Sequence, residues 1–426
     1  MLRNLTEKLK HLKGNQLLRG SAIVLIASLG SGFLNYLFHL LMGRLLSPPD
    51  YGILVSLFSL LYIVSVPGGV LGTTATKFAS KYKARGDFKA VTETLVWTSK
   101  VVACLGAILF FGAFLFRTQL ASFLKISDSL LPVLFFGYIA LSFLGAAPRG
   151  FLRGLLRFKA FSFVSLLGAL LKLGLGVGFV LLGWGVFGII GGLICSSLLG
   201  LLVSLALLKK NLRFPFSGSS FSKADLLSYA APTVLILLAL NSLYNSDVIL
   251  VKHSFSPEEA GIYSSVVTLG RIIFFGLSSV ATVMFPMASE SYENGGDPFG
   301  VFKNSLALVI LGTSFGILVY IFFPQLLISV LFGVRYSSAT PYLGIFALFM
   351  GLYSLVNLLV RFFLSVHNFG PTPILVFFAF LQVVFLWLFH RDLYQVIYVN
   401  IGTALAIFVA LGICYFRLKN RVTHNA

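Results

Sequence analysis

Arg271 and Lys172 stand near the middle of long apolar runs, Lys100 about two turns into another, and Lys77 and Arg361 near the ends of theirs. A charge at mid-membrane costs about 2.5–3.5 kcal/mol on insertion scales, so each of these positions needs a reason. Fixed cations in a low-dielectric cavity hold an anion, and a guanidinium can grip phosphate oxygens bidentately. The competing use of a long cationic side chain is to snorkel to the headgroups or pair internally. That use suits Lys77, Lys100 and Arg361 near the run ends, whereas mid-depth favours a cavity role for Arg271 and Lys172. Asp247 is the clear acid within a run, with Asn241 and Asn245 six and two residues before it. It either takes up a proton or cation, or neutralises a nearby cation, Lys252 being nearest in sequence. Asn35, His39 and Arg44 are the comparable polar positions of the first run. Arg149, Arg153 and Arg157 recur every four residues, followed by Lys159. On a helix the three arginines share a face, able to capture an anion at a cavity mouth or to anchor the span to anionic lipid.

No catalytic constellation accompanies these charges. The six histidines are scattered, Asp and Glu together number 13, and Cys104, Cys195 and Cys414 lie in apolar runs without metal-ligand spacing. No cofactor or metal is expected, and a nucleotide-driven pump is disfavoured.

The elements that position the charges follow from composition. The chain of 426 residues is 58% apolar and only 11% charged, with a mean hydropathy of +0.96. A soluble domain runs near 25% charged, so an ordinary globular protein is excluded. Apolar runs of membrane-spanning length predict an all-α membrane protein of about twelve helices, near 20–45, 50–79, 91–116, 128–150, 159–182, 185–208, 226–251, 258–287, 302–323, 340–365, 371–389 and 394–416. The net charge of +19 would suggest nucleic acid in a soluble protein. Here its placement matters instead. Lys and Arg concentrate at Arg3–Arg19, Lys77–Lys89, Arg149–Lys159, Lys209–Lys223, Lys303 and Arg417–Arg421. All these segments fall on one side of the twelve-span plan, so both termini are expected in the cytoplasm. Residues 1–16, with Leu2, Leu5, Leu9 and Leu12 at helical spacing, read as a basic amphipathic segment on that face.

One stretch occurs twice. Ser47-Pro48-Pro49-Asp50-Tyr51-Gly52-Ile53 and Ser256-Pro257-Glu258-Glu259-Ala260-Gly261-Ile262 lie 209 residues apart. Each reads as a helix start, with a Ser cap, Pro at the first helical position and an acid three residues after the cap. At the same offset Leu60 pairs with Leu269 and Gly86 with Gly295. The duplication divides the chain into a six-span lobe at 17–208, a polar cytoplasmic linker at 209–224, a second six-span lobe at 225–416 and a tail at 417–426. Halves of six spans enter the membrane in the same orientation, so a pseudo-two-fold axis along the membrane normal is expected, with a cleft between the lobes. Pro232, without a counterpart in span one, suggests a hinge in span seven. The glycines crowding spans five and six, among them Gly168, Gly174, Gly176, Gly188 and Gly192, suggest close helix packing.

Three stretches resemble the oligosaccharide flippases of polysaccharide biosynthesis, within the superfamily that also holds multidrug/toxin extruders. They are Leu45-Leu46-Ser47-Pro48-Pro49-Asp50-Tyr51-Gly52 leading to Lys77-Phe78-Ala79-Ser80-Lys81-Tyr82; Arg149-Gly150-Phe151-Leu152-Arg153-Gly154 through Lys159, followed by Gly183-Trp184-Gly185; and Leu227-Ser228-Tyr229-Ala230-Ala231-Pro232 running to Asn245-Ser246-Asp247 and the second Ser-Pro cap. The resemblance covers nearly the whole chain. It implies a two-lobed transporter working by alternating access on a polyprenyl-diphosphate-linked oligosaccharide, in a prokaryotic inner membrane. Its implied partners are the lipid-linked oligosaccharide, membrane lipids and other glycan-assembly proteins, with no nucleic acid, and a monomer is the expected working unit. Under that reading Arg271 and Lys172 lead a cationic cavity, with Lys100, Arg361, Arg149 and Arg153 as further substrate contacts, and Asp247, Asn241 and Asn245 serve coupling or charge pairing. An extruder of organic cations coupled to H⁺ or Na⁺ is the first rival and wants acidic cavity residues. A membrane oligosaccharide ligase or polymerase is the second and wants large outer loops.

Overall fold

The structure, a computed structural model, describes the backbone of residues 2–209 and 223–424 and the side chains of residues 23–209 and 233–420. The amphipathic character expected of residues 1–16, the expected linker at 209–224 and the expected hinge side chain of Pro232 therefore fall largely outside the described residues. The first half carries α1 (Leu2–Leu45), α2 (Pro48–Val64), α3 (Val66–Ala84), α4 (Phe88–Leu115), α5 (Arg117–Phe123), α6 (Leu130–Gly154), α7 (Phe158–Leu181) and α8 (Gly185–Leu208). The second carries α9 (Lys223–Leu243), α10 (Ser246–Ser254), α11 (Pro257–Glu293), α12 (Pro298–Phe322), α13 (Pro324–Leu331), a 3₁₀ turn (Val334–Ala339), α14 (Thr340–Ser365), α15 (Thr372–Leu388) and α16 (Leu393–His424). No strand occurs among the described residues.

Among the described residues, nine helices are long and apolar enough to cross a membrane, two bent helix pairs qualify when each is counted as one span, and Thr372–Leu388 is a shorter apolar helix. Together they match the twelve runs read from the sequence. Two of those runs are broken. The α2–α3 pair bends by 47° at Ser65, and the α9–α10 pair by 46° between Leu243 and Ser246. The bend in span seven thus lies eleven residues beyond Pro232, through which α9 passes unbroken.

The duplicated local chemistry is realised in both copies. Asp50 N–H donates to Ser47 Oγ at 3.3 Å, and Glu259 N–H donates to Ser256 Oγ at 3.3 Å. In the second copy Ser256 N–H also donates to Glu259 Oε2 at 3.0 Å, closing the reciprocal box. Downstream, Gly86 and Gly295 take φ of 72° and 69°. Each supplies the left-handed residue that ends a helix, with Asp87 N–H donating to Tyr82 O and Gly296 N–H to Ser291 O. Asp87 and Asp297 then cap the next helix, accepting from Ala90 and Phe299 N–H.

The chain forms two compact units, and their boundaries differ from the lobes read from the sequence. Unit 1 is residues 1–45 with 64–234; unit 2 is residues 46–63 with 235–426. In unit 1, α7 packs on α1 and α8, while α6 packs on α3, α4 and α8. In unit 2, α14 packs on α11, α12 and α16, and α15 on α16. The difference is α2, which precedes the linker by far yet groups with unit 2. The physical reason is a backbone-to-backbone crossing. A methyl group on Gly261 would lie 2.0 Å from Pro48 O, and one on Gly52 would lie 2.9 Å from Gly261 N. Only paired glycines let the two helix starts lie this close. Tyr51 completes the seam, with its hydroxyl 2.8 Å from Thr268 Oγ1 and its ring edge-on to Phe332 and Tyr336.

Candidate functional site

Unit 1 holds a polar pocket of about 190 Å³. Its walls come from α1 (Asn35), α6 (Tyr138, Ser142, Gly145, Arg149), α7 (Ser165, Gly168, Lys172) and α8 (Ser196, Ser197). Lys172 Nζ donates to Asn35 Oδ1 at 3.0 Å and sits 4.3 Å from the centroid of the Phe38 ring. The ring face is electron-rich, so it holds the ammonium without neutralising it. Arg149 follows Pro148 inside the continuous helix α6. Its Nε donates to Gly145 O at 3.0 Å and its Nη2 to Ser142 O at 3.4 Å, fixing the guanidinium along its own helix at the pocket wall. Both cations therefore have fixed positions, and no acid lies among the lining residues of the pocket. An anion entering here meets two cations, an amide and several hydroxyls in a membrane-embedded site, where charge interactions are strong.

Gly168 has a second reading here. A methyl group placed on it would meet nothing within 4 Å, and the residue lines the pocket. Its small size keeps space open instead of joining helices. Gly176 and Gly192 do serve packing, the first against Phe38 and the second against Leu175.

The other predicted substrate contacts go elsewhere. Arg153, one turn beyond Arg149, donates to Thr76 Oγ1 through Nε at 3.3 Å and Nη2 at 3.2 Å, and lies over the Phe161 ring. It belongs to the α3–α6 seam, where Thr76 and Ser80 donate to Gly150 O and Gly154 O. Arg157 lies past the end of α6 and donates to Leu207 O, near the last turn of α8. A single shared face for the three arginines is thus realised by none beyond Arg149 and Arg153, because α6 ends at Gly154. Lys100 is exposed on α4 and stands outside the pocket lining. Arg361, on α14 of unit 2, donates through Nε to Asn357 Oδ1 at 2.9 Å.

Arg271 is in unit 2, so the pocket around Lys172 is built without it. The α9–α10 break frees backbone carbonyls, and Arg271 is 6% exposed with Nη2 donating to Tyr244 O at 2.9 Å and to Asn245 Oδ1 at 2.8 Å. The rings of Tyr62 and Tyr244 lie 5.6 and 5.3 Å from its guanidinium carbon. Asn241 donates to Leu237 O and accepts from Tyr244 Oη, and Asn245 donates to Asn241 O. These residues knit the break together. Asp247, in the first turn of α10, is fully buried; its carboxylate accepts from Tyr263 Oη at 2.6 Å, Asn400 Nδ2 at 3.0 Å and Val248 N–H at 2.8 Å.

Sequence reasoning missed the hydroxyl walls of the pocket and the amide partners of Asp247. Serines in apolar helices carry little signal, since most bond their own backbone, as Ser165 does to Phe161 O. Gln382 and Asn400 did carry one: each is an amide inside an apolar run, where an unpaired polar group is costly.

Solved structures share this fold. A multidrug resistance MATE family transporter of the MOP superfamily in an inward-facing conformation matches with a TM-score of 0.78 at 14% identity, over 92% of this chain and 95% of that one. An outward-facing structure of such a transporter matches at 0.64 and 15%, over 95% and 96%. A MOP superfamily transporter from Pyrococcus furiosus Vc1 (DSM3638), described as having a binding pocket of reverse polarity that suggests a different function, matches at 0.66 and 16%, over 95% and 96%. A search of curated proteins finds no match. At these identities the structural likeness speaks for the fold. The sequence speaks for the family: a family model described as "Polysaccharide biosynthesis protein" matches residues 41–341. With the duplicated caps, the two units and most of the chain inside that match, the protein belongs to the polysaccharide biosynthesis protein family.

Proposed function

We propose that the chain is a flippase that moves a polyprenyl-diphosphate-linked oligosaccharide from the cytoplasmic to the outer face of a prokaryotic cell membrane by alternating access. The observation that carries this reading is the pocket of unit 1, where Lys172 and Arg149 stand fixed among hydroxyls with no acid in the lining. A diphosphate needs cations to leave the headgroup region, and sugar hydroxyls need paired donors and acceptors. The lipid tail stays in the bilayer. The charge distribution supports cytoplasmic termini in this reading, with a single chain as the proposed working unit. Lys172 and Arg149 are the substrate contacts in this reading; Arg153 holds the α3–α6 seam beside Arg149, while Arg271 and Arg361 brace helices of unit 2. The Pyrococcus furiosus neighbour, whose binding pocket of reverse polarity is described as suggesting a different function, supports reading pocket charge as a guide to substrate.

Export of organic cations is the competing reading, since two of the structural neighbours are named as multidrug transporters. Purified protein in liposomes decides between them. The expected result is translocation of a fluorescent undecaprenyl-diphosphate-linked oligosaccharide, lost in Lys172→Ala. Uptake of ethidium with no movement of the lipid-linked sugar sinks the flippase reading.

A further inference from the structure

At the end of unit 2 where α14 and α16 begin, three tyrosine rings form a strip. Tyr394 and Tyr398 stand one turn apart on the same face of α16, with ring centroids 6.5 Å apart and planes within 25° of parallel. Tyr342, in the first turn of α14, sets its ring 4.6 Å from that of Tyr394. Tyr398 is 57% exposed, and the other two are half-buried. Charged groups frame the strip. His390, Arg391 and Asp392 are exposed in the turn before α16. Asp392 Oδ1 accepts from Gln395 N–H at 2.7 Å, and Gln395 Oε1 accepts from Arg391 N–H at 2.8 Å. Backbone donors thus shape the turn, and neither the Arg391 guanidinium nor Asp392 Oδ2 is used in these two bonds. Asp392 and Glu259 lie close enough for their charges to act on the Tyr342 hydroxyl.

The repeat shows that this strip is an addition to the scaffold. The 209-residue offset holds here, pairing Pro132 at the start of α6 with Pro341 at the start of α14. Tyr342, Tyr394 and Tyr398 then correspond to Val133, Gly185 and Ile189. Val133 and Ile189 are buried within unit 1. The turn His390-Arg391-Asp392 corresponds to Leu181-Leu182-Gly183, whose leucines are 69% and 68% exposed. Anchoring helix ends at the headgroups is a task both units share, and tyrosine can serve it. Unit 1 keeps an apolar end suited to lipid. Unit 2 instead sets three rings beside charges of both signs, which anchoring does not require.

We propose that Tyr342, Tyr394 and Tyr398 form a saccharide-binding platform that holds pyranose rings of the substrate's sugar end. The assignment rests on the transporter reading above, and it adds a second binding place in the other unit from the anion pocket. A pyranose has a face of C–H groups with partial positive charge, which sits well on the electron-rich face of an aromatic ring. Its rim of hydroxyls needs donors and acceptors beside that ring. The tyrosine hydroxyls supply both, Arg391 adds donors, and Asp392 and Glu259 add acceptors whose charge strengthens each bond. A free phosphate is disfavoured by the two carboxylates, and an organic cation by Arg391. A hydrocarbon chain would strip water from all of these charges. An uncharged polyhydroxyl is the occupant that suits a strip framed by both signs. In the transporter reading the charge distribution puts this end outside, so the platform meets the sugar as it leaves. Stacking reads a C–H face common to pyranoses, so simple oligosaccharides bind weakly whatever the natural glycan.

The test uses sugars without lipid or diphosphate. The full chain is placed in phosphatidylethanolamine/phosphatidylglycerol nanodiscs free of glycoside detergent. Maltotriose, chitotriose and mannotriose are titrated to millimolar concentration and followed by saturation-transfer difference NMR, with irradiation of the protein's aromatic protons. The expected result is transfer to the ring C–H protons of each sugar. Tyr394→Ala should weaken binding about threefold to tenfold, the scale of one aromatic contact. Tyr394→Phe should retain most of it, because the ring is kept. Tyr398→Ala, at a surface position, should weaken binding in the same way and keeps the test open if Tyr394→Ala fails to fold. No transfer to any of the three sugars overturns the proposal. So does transfer that Tyr398→Ala and Tyr394→Ala leave unchanged, which returns the rings to headgroup anchoring. Transfer lost in Lys172→Ala and kept in the tyrosine variants would place the sugars in the pocket of unit 1, and overturns it as well. Platform binding as expected, in a chain that moves no lipid-linked oligosaccharide in liposomes, would sink the flippase reading alone.

Discussion

Arg149 and Arg153 lie one helical turn apart on α6, yet their surroundings assign them different work. Arg149 lines an open polar pocket, while Arg153 is spent on Thr76 and the Phe161 ring. Removing Lys172 or Arg149 should weaken substrate binding. A charge-assisted hydrogen bond is worth about 1.5–3 kcal/mol, so each alanine variant is expected to lose about tenfold to a hundredfold in apparent affinity with little change in thermal stability. Lys172→Arg should retain most of it. Arg153→Ala should show the reverse, with binding unchanged and a lower unfolding temperature in detergent. Arg271→Ala should be the most destabilising of the set. It strips donors from Tyr244 O and Asn245 Oδ1 in a site that is 94% buried, at about 1–3 kcal/mol for each unsatisfied group. Unfolding midpoints measured beside a binding titration separate these outcomes. A stable Arg271→Ala protein with lost binding would return that residue to the substrate site.

At the scale of elements, the two glycines of the repeated Ser-Pro stretch make the sharpest claim. Gly261→Ala places a methyl group 2.0 Å from Pro48 O, a backbone atom that cannot rotate away. Overpacking of this kind costs about 1–3 kcal/mol, and here it should part α2 from α11. The measurement is the unfolding temperature in detergent, which should fall in Gly261→Ala and fall less than additively when Tyr51→Phe, which removes the 2.8 Å hydroxyl contact to Thr268 Oγ1 across the same seam, is added. In contrast, Gly168→Leu meets open space at its first carbon. It should leave stability intact, since replacing a helical glycine gains about 0.5–1 kcal/mol, while filling the pocket and stopping transport. The helix starts were legible because capping is a local matter: Ser, Pro and acid at fixed spacing need nothing from the rest of the chain. The same is true of Gly86 and Gly295. The position of the bend in span seven was not legible. Pro232 removes a hydrogen bond, but a single missing donor does not break a helix that its neighbours can hold straight. The break falls instead at Tyr244-Asn245, where Arg271, Gln382 and Tyr353 from three other helices supply donors for the freed carbonyls. Such donors are visible only once the helices are packed. For the same reason Lys172 and Asn35 could each be singled out from the sequence, but their meeting across 137 residues could not.

At the scale of the whole chain, the repeat shows where function has diverged. At the 209-residue offset, Asp247 corresponds to Phe38 and Arg271 to Tyr62. Unit 1 carries an aromatic ring where unit 2 carries the acid, and Lys172 rests on that ring beside an open pocket. Unit 2 fills the corresponding region with a closed network of amides, a carboxylate and a guanidinium. One scaffold carries an open cationic pocket in one unit and a closed, buried polar network in the other. This contrast makes a joint prediction. Substrate binding to detergent-solubilised protein at fixed pH should fall in Lys172→Ala and stay at the parent level in Asp247→Asn, which keeps the shape of the carboxyl group but cannot ionise. The unfolding temperature in detergent should be kept by Lys172→Ala and lowered by Asp247→Asn, whose amide N–H₂ would face the Tyr263, Asn400 and Val248 donors from which the carboxylate accepts. In the double variant the two losses should appear together without enhancement, because each acts on a different quantity. Loss of binding in Asp247→Asn of the size seen in Lys172→Ala would mean that the acid helps build the anion site, and the division of labour between the units would be wrong.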